Sequence, residues 1–74
     1  MSTDNLIKMA NQIAQFFASE PDSAQAARDV RQHLQSFWTP AMRRELAAWL
    51  AQHEATTTLH PLVQAALKES AETV

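Results

Sequence analysis

His33-Leu34-Gln35-Ser36-Phe37-Trp38-Thr39-Pro40-Ala41-Met42-Arg43-Arg44-Glu45-Leu46 joins two helical patterns through an aromatic pair and a helix-start signal. A residue before proline avoids helical angles, so the first helix must stop short of Thr39. Thr39 supplies a capping hydroxyl, and Pro40 suits the first helical position, where a missing N–H costs nothing. Met42, Leu46, Trp49, Leu50 and His53 then share one face, which predicts a helix over 40–53. Upstream, Ser23, Ala27, Val30, Leu34 and Phe37 form the inward face of a helix over about 22–37, with Ser19 or Asp22 as its cap and Pro21 in its first turn.

The first pattern runs over about 4–18, where Ser2, Thr3 or Asp4 can cap it. Leu6, Met9, Ala10, Ile13, Phe16 and Phe17 recur at helical spacing, flanked by Ile7 and Ala14, and Lys8, Asn11, Gln12 and Gln15 make the wet face. This stripe spans about half the circumference, more than one small neighbour covers. After the linker Thr56-Thr57-Thr58, a fourth helix is expected over about 60–69, starting near Leu59 or Pro61, with Leu59, Leu62, Val63, Ala66 and Leu67 inward and a frayed tail over 70–74. The expected class is all-α: residues 1–74 as a single helical domain, a compact bundle of three to four short helices.

Seventy-four residues bury a modest fraction of their surface, so such a domain is marginal alone and gains from a partner. Cysteine and glycine are both absent. The first removes disulfides, thiolate nucleophiles and cysteine-held metals; the second argues against phosphate-cradling loops, which need backbone freedom. A cytoplasmic location is expected, because small secreted domains are usually disulfide-rich. Neither a signal peptide nor a membrane span is expected. The net charge of −2 conceals a basic middle: residues 28–44 hold four arginines against Asp29, a balance of +3.

Catalytic machinery is not visible. His33, His53 and His60 form no i, i+3 or i, i+4 pair with one another, and there is no His-Glu-x-x-His. His33 lies four residues after Asp29, as in an ordinary helix-surface pair. No two carboxylates bracket a substrate position, and no nucleophile stands with a base and an orienting group. The expectation is no catalytic residue, no cofactor-binding residue and no metal ligand in this chain. The partner-binding candidates are Phe16, Trp38, Arg28, Arg31, Arg43 and Arg44. None of these arginines has an acid three or four residues away. They are either solvated or paired across helices, or they form a basic surface for an acidic patch on a protein, a task suited to the planar guanidinium. Trp38 reads either as a plug in the core or as an aromatic anchor at an interface. Ala47, Ala48 and Ala51, with Arg44, lie opposite the apolar face of the third helix and would allow another element to approach closely.

Three segments carry a family resemblance: Met9-Ala10-Asn11-Gln12-Ile13-Ala14-Gln15-Phe16-Phe17, the His33 to Arg43 run with its Phe-Trp-x-Pro-x-Met-Arg core, and Leu59-His60-Pro61-Leu62-Val63. In order and spacing the chain resembles the delta subunit of soluble, NAD-dependent formate dehydrogenases that contain molybdenum or tungsten. The resemblance implies a non-catalytic accessory subunit of a complex that oxidises formate to carbon dioxide and reduces NAD. It implies that molybdopterin guanine dinucleotide, iron–sulfur clusters and FMN reside in the larger subunits. It also implies that this chain binds those subunits, above all the catalytic one, and supports assembly, stability or cofactor loading. Neither nucleic acid nor membrane is an expected partner; a homo-oligomer is possible for the isolated chain. Two alternative readings stand beside the accessory subunit. One is a small nucleic-acid-binding module, since two helices are joined by a short turn with nearby arginines, although net acidity and the lack of a long basic stripe count against it. The other is a self-associating bundle that uses the same apolar surplus.

Overall fold

In the computed structural model, the backbone of residues 2–53 and 58–72 and the side chains of residues 2–53 and 58–68 are described. Four helices follow in order: α1 (Thr3–Phe17), α2 (Ser23–Phe37), α3 (Pro40–His53) and α4 (Pro61–Glu72). With no strand among the described residues, the fold is all-α. Thr56 and Thr57 of the expected linker lie outside the described residues.

Each helix begins on a side-chain cap that satisfies otherwise unbonded N–H groups. Ser2 Oγ accepts from Asn5 N at 3.3 Å. Asp22 Oδ1 accepts from Ala24 N at 3.0 Å and Gln25 N at 3.3 Å. Thr39 Oγ1 accepts from Met42 N at 3.2 Å. At α4 the capping group is an imidazole: His60 Nδ1 accepts from Leu62 N at 3.1 Å, and the His60 carbonyl accepts from Val63 N at 2.9 Å. Pro40 and Pro61 both stand at the first helical position, as a ring that fixes φ and lacks an N–H favours. Pro21 does not: it precedes the Asp22 cap and lies outside α2, because the carboxylate of Asp22 fixes the start one residue later than expected. At the other end of the chain, α4 continues to Glu72 and does not stop near residue 69, since Glu69-Ser70-Ala71-Glu72 holds no glycine or proline to break it.

Leu6, Ala10 and Ala14 of α1 are buried at four-residue intervals and meet Val30 and Leu34 of α2, Trp38, Leu46 and Leu50 of α3, and Leu59, Val63, Ala66 and Leu67 around α4 in one core. Helix α1 contacts all three other helices, and α2 and α4 pack most extensively. The alanines explain the central position of α1, since a methyl group at the contact lets neighbouring helices approach closely. The line of burial is rotated from the centre of the α1 stripe: Met9 and Ile13 are half-buried, and Phe16 is exposed.

Two expected faces need correction. Ser23 and Phe37 stand at the two ends of the expected α2 inward face, and both are exposed; its other members, Ala27, Val30 and Leu34, are buried, as is Ala26 beside them. A helical wheel gives the angle around the axis, not whether a neighbour extends to that level. Asn11 does not belong to a wet face either. Its Nδ2 donates to the Thr58 carbonyl at 3.2 Å, and its Oδ1 accepts from His60 N at 2.8 Å, so one amide fastens the entry to α4 onto α1. Replacing Asn11 by alanine leaves the His60 N–H, a half-buried group, without its acceptor. We expect a loss of about 1–3 kcal/mol in urea unfolding, and less for Asn11→Asp, which keeps the acceptor.

Candidate functional site

The surface feature that separates this molecule from an ordinary small bundle is its exposed aromatic side chains. Phe16 is 77% exposed and Phe37 is 74% exposed, although neighbouring aliphatic groups are fully covered. They are the ends of one row. The Phe16 and Phe17 rings meet edge to face with centroids 5.1 Å apart; Phe17 lies 6.2 Å from the His33 ring; His33 lies 4.7 Å from Phe37. The row crosses from the end of α1 to the end of α2. The first two pairs meet by the edge contacts that aromatic quadrupoles favour, and the His33–Phe37 pair is tilted by 37°.

Two open clefts flank it. One, of about 340 Å³, is lined by Phe16, Phe17, Ser19, Glu20, Pro21 and Asp29. The other, of about 220 Å³, is lined by Phe17, Asp29, Gln32, His33, Ser36 and Phe37. They share Phe17 and Asp29, so together they form one groove with aromatic walls, two carboxylates and no lysine or arginine. The expected Asp29–His33 pair is replaced by other contacts: Asp29 Oδ1 accepts from Gln25 Nε2 at 2.9 Å, while the His33 ring faces phenylalanines.

The other candidates separate. Trp38 is 6% exposed and belongs to the core cluster, the position of a plug. The step of four from Val30 to Leu34 to Trp38 carries the buried line past the end of α2 and leaves Phe37 outside. Arg28, exposed, donates from Nη2 to Gln25 Oε1 at 3.0 Å. Arg31 is half-buried. Arg43 is also half-buried, its Nε enclosed without a hydrogen-bond partner among the described residues, whereas Arg44 is exposed. Arg28 and Arg31 lie on α2 and Arg43 and Arg44 on α3, two helices that share little contact, so the basic middle of the sequence is divided between two elements. Of the alanines opposite the α3 core face, Ala48 and Ala51 are exposed and Ala47 is half-buried against the core. His53 stacks on Trp49 with centroids 4.5 Å apart, and its Nδ1 lies 2.8 Å from the Trp49 carbonyl; with His60 serving as a cap, all three histidines have structural contacts. Among the described residues, no three His, Cys, Asp or Glu side chains group closely enough to hold a metal ion. None of the described helices is long and apolar enough to cross a membrane.

Sequence reasoning put Phe16 within an over-wide stripe and among the partner-binding candidates but missed Phe37, His33 and Asp29 as parts of one surface. The available signal was the adjacency of Phe37 and Trp38 at a helix end, where only one of two neighbouring rings can continue the buried line.

The family model described as the NADH-dependent formate dehydrogenase delta subunit, FdsD, matches residues 5–67 of the 74-residue chain. The chain belongs to that family. Searches among curated proteins and among solved structures gave no match. For this delta-subunit family member the matched span takes in α1 from Asn5 onward, α2 and α3 whole and α4 as far as Leu67, so it includes every residue of the aromatic row and every buried core residue among the described ones.

Proposed function

We propose that this chain is a non-catalytic accessory subunit of an NAD-dependent formate dehydrogenase, acting in the cytoplasm. It binds the larger subunits, most closely the catalytic one, and supports their assembly, stability or cofactor loading. The observation that carries the reading is family membership across residues 5–67. It is supported by two phenylalanines that a free-standing domain of this size gains nothing from exposing.

In this reading molybdopterin guanine dinucleotide, iron–sulfur clusters and FMN belong to other subunits. The residues of this chain do not suit them: it has no cysteine to ligate a cluster and no glycine-containing loop to cradle a phosphate. Its contribution is therefore surface, shape and stabilisation by mass action, in which each partner that binds the folded form raises its apparent stability.

Co-expression with the three larger subunits is expected to yield a stoichiometric complex that retains this chain at low salt; failure to co-purify removes the proposal. Omitting the chain is expected to lower formate oxidation, and metal content measured on the same sample separates the two modes of action. Lost metal indicates loading or protection of the cofactor, and retained metal in a dissociating complex indicates bracing. An intact complex with full metal and full activity in its absence overturns the accessory role.

A further inference from the structure

We propose that the groove along Phe16, Phe17, His33 and Phe37 seats an arginine-bearing segment of a larger subunit, with the guanidinium paired to Asp29 and apolar neighbours covering the two exposed phenylalanines. The proposal rests on the accessory-subunit reading and names the surface and the chemistry through which that subunit docks.

Three observations define the occupant. The walls are aromatic, and the groove opens at both ends onto a largely uncovered ring, so apolar surface has to come from outside to bury them. The charge is acidic: Glu20 and Asp29 line the clefts, and no lysine or arginine does. Asp29 is half-buried and common to both clefts; one of its oxygens takes the Gln25 amide, and Oδ2 makes no hydrogen bond among the described residues. Glu20 is more committed, since its Oε1 accepts from Asp22 N at 3.2 Å. Arg28 reaches Gln25 and does not line either cleft.

A cation fits, and among cations arginine fits best. Its planar fork can lie against ring faces and still offer two-point hydrogen bonding to a carboxylate, which an ammonium cannot. Arginine beside aromatic rings is also a recurrent combination at the energetic centre of interfaces. A second copy of this chain fits poorly, because a symmetric pairing across the groove brings Glu20 and Asp29 of both copies onto one interface. A small molecule fits poorly too, because both clefts are open and shallow.

The test uses the full-length chain and the purified complex of larger subunits lacking it, with affinity measured by biolayer interferometry at low and moderate salt. Wild-type chain should bind. Phe16→Ala together with Phe37→Ala should weaken binding about 30-fold or more, the range of interface hot spots. Asp29→Asn should weaken it about tenfold and flatten its salt dependence, and Asp29→Arg should abolish it. Gln35→Ala, an exposed position on α2, should leave affinity unchanged. Circular dichroism establishes that each variant is folded, and Asp29→Arg tests the groove without removing any apolar side chain. A photo-crosslinker at position 37 should attach to a segment containing arginine. If wild-type chain fails to bind, the subunit reading and the groove fall together. If it binds and the groove variants bind equally well, the groove alone falls. The groove falls too if the crosslink maps to a segment without arginine. It also falls if the phenylalanine variants dissolve a dimer of the isolated chain, seen by sedimentation, without affecting the complex.

Discussion

Replacing Trp38 by alanine is expected to unfold the isolated chain or leave it without a cooperative transition. Trp38 closes α2 in extended backbone, its N–H bonding the Leu34 carbonyl at 2.9 Å, and its indole enters the same cluster as Leu6, Leu46 and Val63. Truncating a buried tryptophan costs about 3–5 kcal/mol, through lost transfer energy and the cavity that remains. A single core in a chain of this length supplies roughly 3–5 kcal/mol in total, so the loss is comparable to the whole stability. Should a transition persist, its midpoint should fall by more than about 12 °C, taking about 4–8 °C per kcal/mol for a domain of this size. Thermal melts followed at 222 nm check this, and a cooperative melt within a few degrees of wild type contradicts the core placement of Trp38. Trp38→Phe, which keeps most of the apolar volume, should lie between the two.

Leu46→Ala is expected to cost about 2–5 kcal/mol by the same route. Leu46 has no exposed surface and, with Leu50, is how α3 enters the core. Because α3 packs chiefly on α1, removing this contact loosens the helix from its main neighbour. Leu46→Met preserves volume and should cost less than about 1.5 kcal/mol in urea unfolding. The informative comparison is Phe16→Ala, a larger truncation by volume, which should stay within about 0.5 kcal/mol because that ring is already in solvent. Equal losses at positions 16 and 46 would contradict the assignment of one ring to the surface and the other side chain to the core. Together the pair separates residues that hold the fold from residues free to serve a partner.

Much of this architecture is legible without coordinates. The two prolines at helix starts, the capping groups at Ser2, Asp22 and Thr39, and the apolar periodicities place four helices because each signal is local. The less legible residues are those whose neighbours lie far along the chain. Asn11 reads as a solvent-facing amide until Thr58 and His60 come to it from across the sequence. Ala14 reads as a flanking methyl group but sits at zero exposure, because three helices converge on α1. Phe37 reads as buried from its angle on the helix, but no element extends far enough to cover it. The four arginines read as one basic segment, and the fold divides them between α2 and α3.

The sequence by itself determined the helices, the Thr39 cap and the division at Trp38-Thr39-Pro40, it narrowed the first two caps to a few residues each, and its three motifs already pointed to the family. It also settled that no thiolate ligand and no glycine-containing phosphate loop exists in this chain, since that follows from residue types alone. Only the tertiary structure decided which apolar groups remain outside. Burial depends on how far a neighbouring helix reaches along an axis, and helix packing is fixed by contacts between residues far apart in the chain. That is why Trp38 lies inside, Phe37 outside, and Asp29 between two aromatic walls.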